Sequence, residues 1–271
     1  MNSVDKVVLI TGASSGIGEA CATYLSQKGY RVYGASRSIR DCSLPFETVQ
    51  VDVNDDVSVK KGVAYVLKKE GKLDVLVNNA GFGIAGSIED TSVDEARAQL
   101  ETNFFGMFRL CRQVIPLMRE RQSGCIINIS SIGGLIGIPF QGLYSAGKHA
   151  VEGLTEALRM EIKKFGINVV LIEPGDFKTG FTAHRSKTAQ SQENPAYLND
   201  FIRSLKVMEH DEMNGPPPIQ IAYLIERIIN SPSPKLRYMV GPSSEKVAVT
   251  LKKILPYSIF EWAMMKYYQL G

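Results

Sequence analysis

No run of about 18 apolar residues occurs in the sequence, so no segment reads as a membrane-spanning helix. The N-terminus, Met1-Asn2-Ser3-Val4-Asp5-Lys6, lacks the charged and then long apolar segments of a secretory signal and leads straight into a strand-like run. Basic runs are missing too. Net charge is only +3 with both signs spread along the chain, which argues against a nucleic-acid partner. The four cysteines, Cys21, Cys42, Cys111 and Cys125, have no metal-ligand spacing. Reduced thiols in a cytoplasmic protein without a metal site are therefore expected. There is no internal repeat, no low-complexity tract and no break in composition. What is left is ordinary globular material, 44% hydrophobic and 22% charged over 271 residues, enough for one large core and a single domain.

The stretch that organises the chain is Tyr144-Ser145-Ala146-Gly147-Lys148. The residues after it keep helical periodicity without proline, so Tyr144 and Lys148 should sit one turn apart on a helix face. A fixed cation beside a phenol favours phenolate and lowers its pKa, which makes the pair a candidate acid/base. Taken alone, the pentapeptide reads first as a Tyr and a Lys on a solvated face.

The first half alternates strand and helix. Lys6–Thr11 is an apolar run suited to a parallel strand buried on both faces. Gly12-Ala-Ser14-Ser15-Gly16-Ile17-Gly18 and a helix over 19–28 follow it. Gly12 allows the tight turn, Gly16 lets a pyrophosphate approach the backbone, and Gly18 lets the helix pack close to the strand. The helix N-terminus supplies free N–H groups for phosphate. A plain strand-helix turn is the alternative. The second strand, 31–35, ends in Ser36-Arg37, a neutral residue and a cation where an acidic residue would hold a ribose hydroxyl. That favours NADP(H) over NAD(H). The third strand, 46–51, closes at Asp52-Val53, where the carboxylate suits an adenine amino group or a helix cap. A helix over 55–69 and a strand over 74–77 lead into Asn78-Asn79-Ala80-Gly81, whose small residues leave room for a ribose.

Thr11-Gly12-x-x-x-Gly16-Ile17-Gly18, then Asn78-Asn79-Ala80-Gly81, then Tyr144-x-x-x-Lys148, resembles the short-chain dehydrogenase/reductase family in its single-domain form. The order and spacing match over essentially the whole chain. The resemblance implies an α/β fold, a doubly wound Rossmann-type parallel sheet of about seven strands in the order 3-2-1-4-5-6-7. It implies a cofactor held by Gly12, Ser14, Ser15, Gly16, Ile17, Gly18, Ser36, Arg37, Asp52, Val53, Asn79, Ala80 and Gly81, with Tyr144 and Lys148. It also implies a homodimer or homotetramer.

In the second half, 92–121 reads as one long helix carrying Asn103, with a bend or break near Pro116. The resemblance makes Asn103 part of a proton relay through a water and Lys148. A strand over 125–129 ends in Ser130-Ser131. Ser131 lies at the family's spacing from Tyr144, and its hydroxyl can orient a substrate carbonyl. Side-chain alternation turns Ser130 away. The loop between serine and tyrosine, with Leu135, Ile138, Phe140 and Leu143, supplies an apolar wall; Phe177 and Phe181 extend it. After the strand over 167–172, Pro174-Gly175-Asp176-Phe177-Lys178-Thr179 resembles the family's nicotinamide segment. There the backbone of Phe177 and the hydroxyl of Thr179 are implied to hold the carboxamide and a phosphate.

The stretch 176–215 is expected to be an irregular, weakly helical lid. A helix over 219–229 after three prolines, a strand over 236–240 and a helical tail over 244–271, broken at Pro256, complete the chain. The tail could cover the pocket, join an interface or rest on a membrane; membrane contact is the less favoured. The expected activity is NADP(H)-dependent hydride transfer to or from the carbonyl of an apolar substrate, a steroid, a 3-keto lipid or a sphingoid-type compound. Ser131 holds the oxygen, Tyr144 exchanges the proton, Lys148 tunes Tyr144 and binds ribose, and Asn103 anchors the relay. A catalytically idle NADP(H) sensor or an epimerase would use the same fold.

Overall fold

The computed structural model describes residues 5–38 and 43–271. Cys42, expected as a reduced thiol, lies outside them. The elements run β1 (Val7–Thr11), α1 (Gly16–Gln27), β2 (Arg31–Ser36), β3 (Glu47–Gln50), α2 (Asp56–Glu70), β4 (Val75–Asn78) and β5 (Ile84–Ala85). They continue with α3 (Val93–Leu100), α4 (Gly106–Glu120), β6 (Gly124–Ile129), α5 (Gly142–Ile162), β7 (Ile167–Pro174), α6 (Phe181–His184) and β8 (Ser186–Lys187). The chain closes with α7 (Leu198–Asn214), α8 (Ile219–Ile229), β9 (Arg237–Val240), α9 (Ser243–Ile254) and α10 (Tyr257–Tyr267).

Seven strands form one parallel sheet in the order β3-β2-β1-β4-β6-β7-β9, the doubly wound Rossmann-type order. Each strand's apolar run has a physical cause, since both sheet faces are covered and neither side of a strand meets water. Val7, Leu9, Val169 and Leu171 face a core with α2, α4 and α5. Val8, Ile10, Val170 and Ile172 face the opposite core with α1 and α8. The strand order reverses between β1 and β4, and the carboxyl ends of the strands open a crevice there.

The helices begin and end where local chemistry dictates. Asp55 caps α2 by accepting from the backbone N–H groups of Val57 and Ser58, and Gly71 ends it in the left-handed region at φ +68°. Ser92 and Glu95 form a reciprocal capping box at the start of α3. Cys21, Cys111 and Cys125 are buried free thiols.

Two expectations need correction. The helical rod over 93–120 passes through Pro116 and is interrupted instead at Glu101–Phe105, a single π-helical turn. Pro116 is exposed, as is Arg112 four residues before it, so the helix carbonyl that loses its donor is on the solvent side. The segment expected to be irregular contains a seventeen-residue helix, α7. Phe201 and Leu205 on α7 pack with Ala85 and Phe140, and β8 pairs with β5, so the segment is fastened to the loop after β4.

Candidate active site

The carboxyl ends of β1, β2, β4, β6 and β7 surround one cleft of about 710 Å³, within the roughly 300–1,000 Å³ usual for ligand sites. Gly12, Ser14, Ser15, Gly16, Ile17, Ser36, Arg37, Asp52, Val53, Asn79, Ala80 and Gly81 all line it, with Asn103, Ser131, Tyr144, Lys148, Pro174, Gly175, Phe177, Thr179 and Phe181.

The turn after β1 is built so that the backbone itself is the wall. Gly12 sits at φ +67°, and a Cβ there would lie 2.9 Å from the Ala80 Cα. A Cβ on Gly18 would lie 2.3 Å from the Gly12 carbonyl oxygen, so this glycine does bring α1 against the strand end. Ser15 is the N-cap of α1 but makes no side-chain capping bond. The first N–H groups of α1 thus keep their capacity for an anion. Asn79 holds the opposite wall: its amide donates to the backbone oxygens of Thr11 (3.0 Å) and Gly12 (3.3 Å). The Thr11 hydroxyl accepts from the backbone of Asn79 and Ala80, each at 3.0 Å. Asp52 does not cap a helix; it accepts from the Asn54 backbone at 2.9 Å and faces the cleft. A narrow backbone-lined channel ending on a helix N-terminus fits a nicotinamide dinucleotide.

Tyr144 and Lys148 lie one turn apart on α5, with the Lys148 Nζ 5.8 Å from the centre of the Tyr144 ring. Lys148 is 6% exposed, and its Nζ donates to the Ile129 carbonyl at 2.8 Å. This burial reverses the expected tuning. Loss of water pushes the Tyr144 hydroxyl up to about 12, while the nearby Ser131 hydroxyl pulls it partly back. The same desolvation takes the Lys148 ammonium down to about 8. Ser131 Oγ accepts from the Gly133 backbone at 3.0 Å, while Ser130 also lines the cleft, its buried hydroxyl lying toward Gly134 without a hydrogen-bond partner. Asn103 sits in the π-helical turn, where its amide clasps Phe82: Oδ1 accepts from the backbone N–H (3.0 Å) and Nδ2 donates to the carbonyl (2.8 Å).

The short chain dehydrogenase family model matches residues 6–190. The chain belongs to the short-chain dehydrogenase/reductase family. It is 42% identical to a 3-ketodihydrosphingosine reductase of Bacteroides thetaiotaomicron over 98% of each chain. It is 34% identical to an NADPH-dependent 3-dehydrocapnine reductase of Ornithobacterium rhinotracheale over 88% of each. A solved short-chain dehydrogenase from Streptomyces avermitilis superposes with a TM-score of 0.82 at 32% identity, covering 97% of this chain and 96% of that one.

Three residues expected in the substrate wall of this dehydrogenase/reductase lie elsewhere. Leu135 packs with Ile136, Val249 and Phe260 beneath the tail. Phe140 packs on Phe201 of α7, ring centres 5.5 Å apart, and Leu143 is half-buried outside the cleft. Loop residues carry no period that tells one face from the other, and their partners come from distant chain. Ile138, expected in that wall, does line the cleft, and Ile132, Met208 and Tyr268 line it with two carboxylates, Asp176 and Glu212. Glu212 is paired with buried Arg185 and accepts from the Thr182 hydroxyl at 2.5 Å. The backbone N–H of Asp176 donates to Glu245 of α9 at 3.1 Å, and burial beside that second carboxylate pushes the Asp176 carboxyl up. A signal for Glu212 existed in the sequence: Phe201, Leu205, Met208 and Glu212 share one helical stripe, and a carboxylate stands where periodicity asks for an apolar side chain.

Proposed function

We propose that the protein is an NADP(H)-dependent reductase of a long-chain amino ketone of the sphingoid type. One observation carries the substrate class: Asp176 and Glu212 share the cleft with Tyr144, and the charge of each raises the phenol's proton affinity. Glu212 already holds Arg185 and the Thr182 hydroxyl, whereas Asp176 faces only other carboxylates, and a steroid or a plain 3-keto chain brings it no cation. An amino ketone brings an ammonium on the carbon beside the carbonyl, and an adjacent cation favours ionised carboxylates. Ile132, Ile138, Phe181 and Met208 suit the apolar chain. The 42% identity with a 3-ketodihydrosphingosine reductase supports the same class. Neutral Ser36 followed by Arg37 at the cleft rim supports the 2′-phosphate of NADP(H).

In this reading a bound nicotinamide would supply the hydride for the carbonyl carbon. Ser131 donates to the carbonyl oxygen and orients it. Tyr144 gives the proton that converts the developing alkoxide to alcohol, and a phenol pushed up to about 12 is protonated at neutral pH, poised for reduction. Lys148, anchored on Ile129, would hold the ribose hydroxyls. Both ends of the Asn103 amide hold Phe82, so its part in a proton path runs through its backbone. Residues 176–215 act as the cover of the substrate. The protein works in the cytoplasm as a homodimer or homotetramer, and exposed Phe105 and Phe108 offer a face for the second copy.

The test is NADPH oxidation with 3-ketodihydrosphingosine, its N-acetyl derivative and a 3-ketone lacking the amine. The free amine should be favoured about tenfold or more in kcat/KM, and Asp176→Asn should erase much of that preference. Equal turnover of the N-acetyl compound would refute the amine reading.

A further inference from the structure

Helix α10 is apolar on both faces, yet only one is packed. Phe260 and Met264 face inward, where they meet Ile136 and Val249. Tyr268, just past the helix, lines the cleft, and its carbonyl accepts from the Ser204 hydroxyl of α7 at 2.9 Å. Ile259, Trp262 and Met265 recur every three residues on the other side and are 50%, 62% and 42% exposed. The corner before the helix adds Ile254 and Tyr257, at 69% and 71%. Among the described residues no other stretch of equal length exposes as many large apolar side chains. A helix that is hydrophobic all round is ordinarily covered on all sides. The cover has a charge preference: exposed Lys253 stands at the corner and exposed Lys266 lies on the stripe two turns after Ile259, with one exposed carboxylate, Glu261, at the stripe's edge a turn before Met265. Apolar and aromatic side chains rimmed by lysines describe a helix lying in a lipid headgroup layer. No helix among the described residues is long and apolar enough to cross a membrane, so the contact is with a surface.

We propose that the corner between α9 and α10 and the outer face of α10 dock the protein on an anionic bilayer, with the end of α10 leading from the lipid to the cleft. The geometry of the face is independent of the substrate; only its purpose, collecting a lipid ketone from the membrane, rests on the proposed function. The long-chain base would pass along α10 to Tyr268 without crossing water.

The test uses the full chain and its single tryptophan, Trp262, as the reporter. Vesicles of equal parts phosphatidylcholine and phosphatidylglycerol are added, and pure phosphatidylcholine vesicles serve as the comparison. Binding to the anionic vesicles should shift Trp262 emission to the blue and carry the protein into the pellet, with much weaker binding to the neutral ones. Lys253→Glu with Lys266→Glu should weaken vesicle binding at least about fivefold per lysine. Ile259→Glu with Met265→Glu should abolish it, by about tenfold or more. Both variants should keep wild-type turnover of a short, water-soluble ketone and wild-type circular dichroism. Absence of wild-type binding to either vesicle overturns the proposal. So does a wild-type oligomer that Ile259→Glu with Met265→Glu dissociates, since the face would then be a contact between copies. Vesicle binding with no turnover of any amino ketone would sink the proposed function and leave the docking face standing.

Discussion

Two glycines with almost the same backbone angle separate conformational strain from close approach. Gly12 and Gly71 sit at φ +67° and φ +68°. An alanine at either carries the left-handed penalty of about 1–2 kcal/mol. At Gly71 the new Cβ meets nothing within 4 Å, so strain is the whole cost. At Gly12 it lies 2.9 Å from both the Ala80 Cα and the Asn79 amide nitrogen. One of these is backbone, and the other already donates to Thr11 and Gly12, so neither yields freely. Overpacking of this kind adds about 1–3 kcal/mol. Gly12→Ala should therefore destabilise by about 2–5 kcal/mol and Gly71→Ala by about 1–2 kcal/mol. Urea unfolding reads the difference as a lower midpoint at unchanged slope. NADPH titration should show weakened binding for Gly12→Ala alone, because only that turn lines the cleft. Equal losses of stability, or wild-type NADPH affinity in Gly12→Ala, would refute the claim that the backbones of the β1 and β4 turns are in contact there.

Other perturbations reach the chemistry. Tyr144→Phe should lower kcat by about 10²–10⁴-fold while leaving NADPH affinity in place; wild-type-like turnover would remove the phenol from the mechanism. Arg37→Ala should weaken NADPH binding about tenfold, more at low salt, and leave NADH binding unchanged; equal effects on both cofactors would detach Arg37 from the 2′-phosphate. Burial lowers Lys148 to about 8, so its ammonium is present below that pH and lost above it. The kcat/KM for reduction should fall on the alkaline side with an apparent pKa near 8, and Lys148→Arg should remove that limb from the profile. Because folding disfavours the charged lysine, this group adds stability as pH climbs from about 8 toward 10.5. A flat profile across that interval would contradict its burial.

The sheet was readable because each central strand is buried on both sides and spells that out as an apolar run. The glycine turn and the Tyr144-Lys148 pair were readable because their spacing is local. Environment was the harder matter. Four residues of spacing put a cation beside the phenol, but the depth of burial depends on Ile129, Phe181 and the rest of the cleft wall. That depth reverses the sign of the Tyr144 shift. Leu135 and Phe140 are apolar loop residues whose partners, Phe260 and Phe201, lie more than sixty residues onward, and nothing near them in sequence points there. Asp176 and Glu212 came together only through the fold.

The π-helical turn at Asn103 makes the rod from α3 to α4 a vernier. A regular helix advances about 100° per residue, so the surplus residue turns every later side chain by that angle relative to an uninterrupted rod. Met107, Leu110, Val114 and Met118 reach the core on that shifted frame, while Gln99 is set on the unshifted one, its amide nitrogen donating to the Phe82 carbonyl at 2.7 Å. Deleting one residue between 101 and 105 would give the chain a smoother helix. It would also force a choice between the clasp on Phe82 and the packing of α4. The irregularity is thus the joint at which the wall of the cleft and the core of the fold are allowed separate registers.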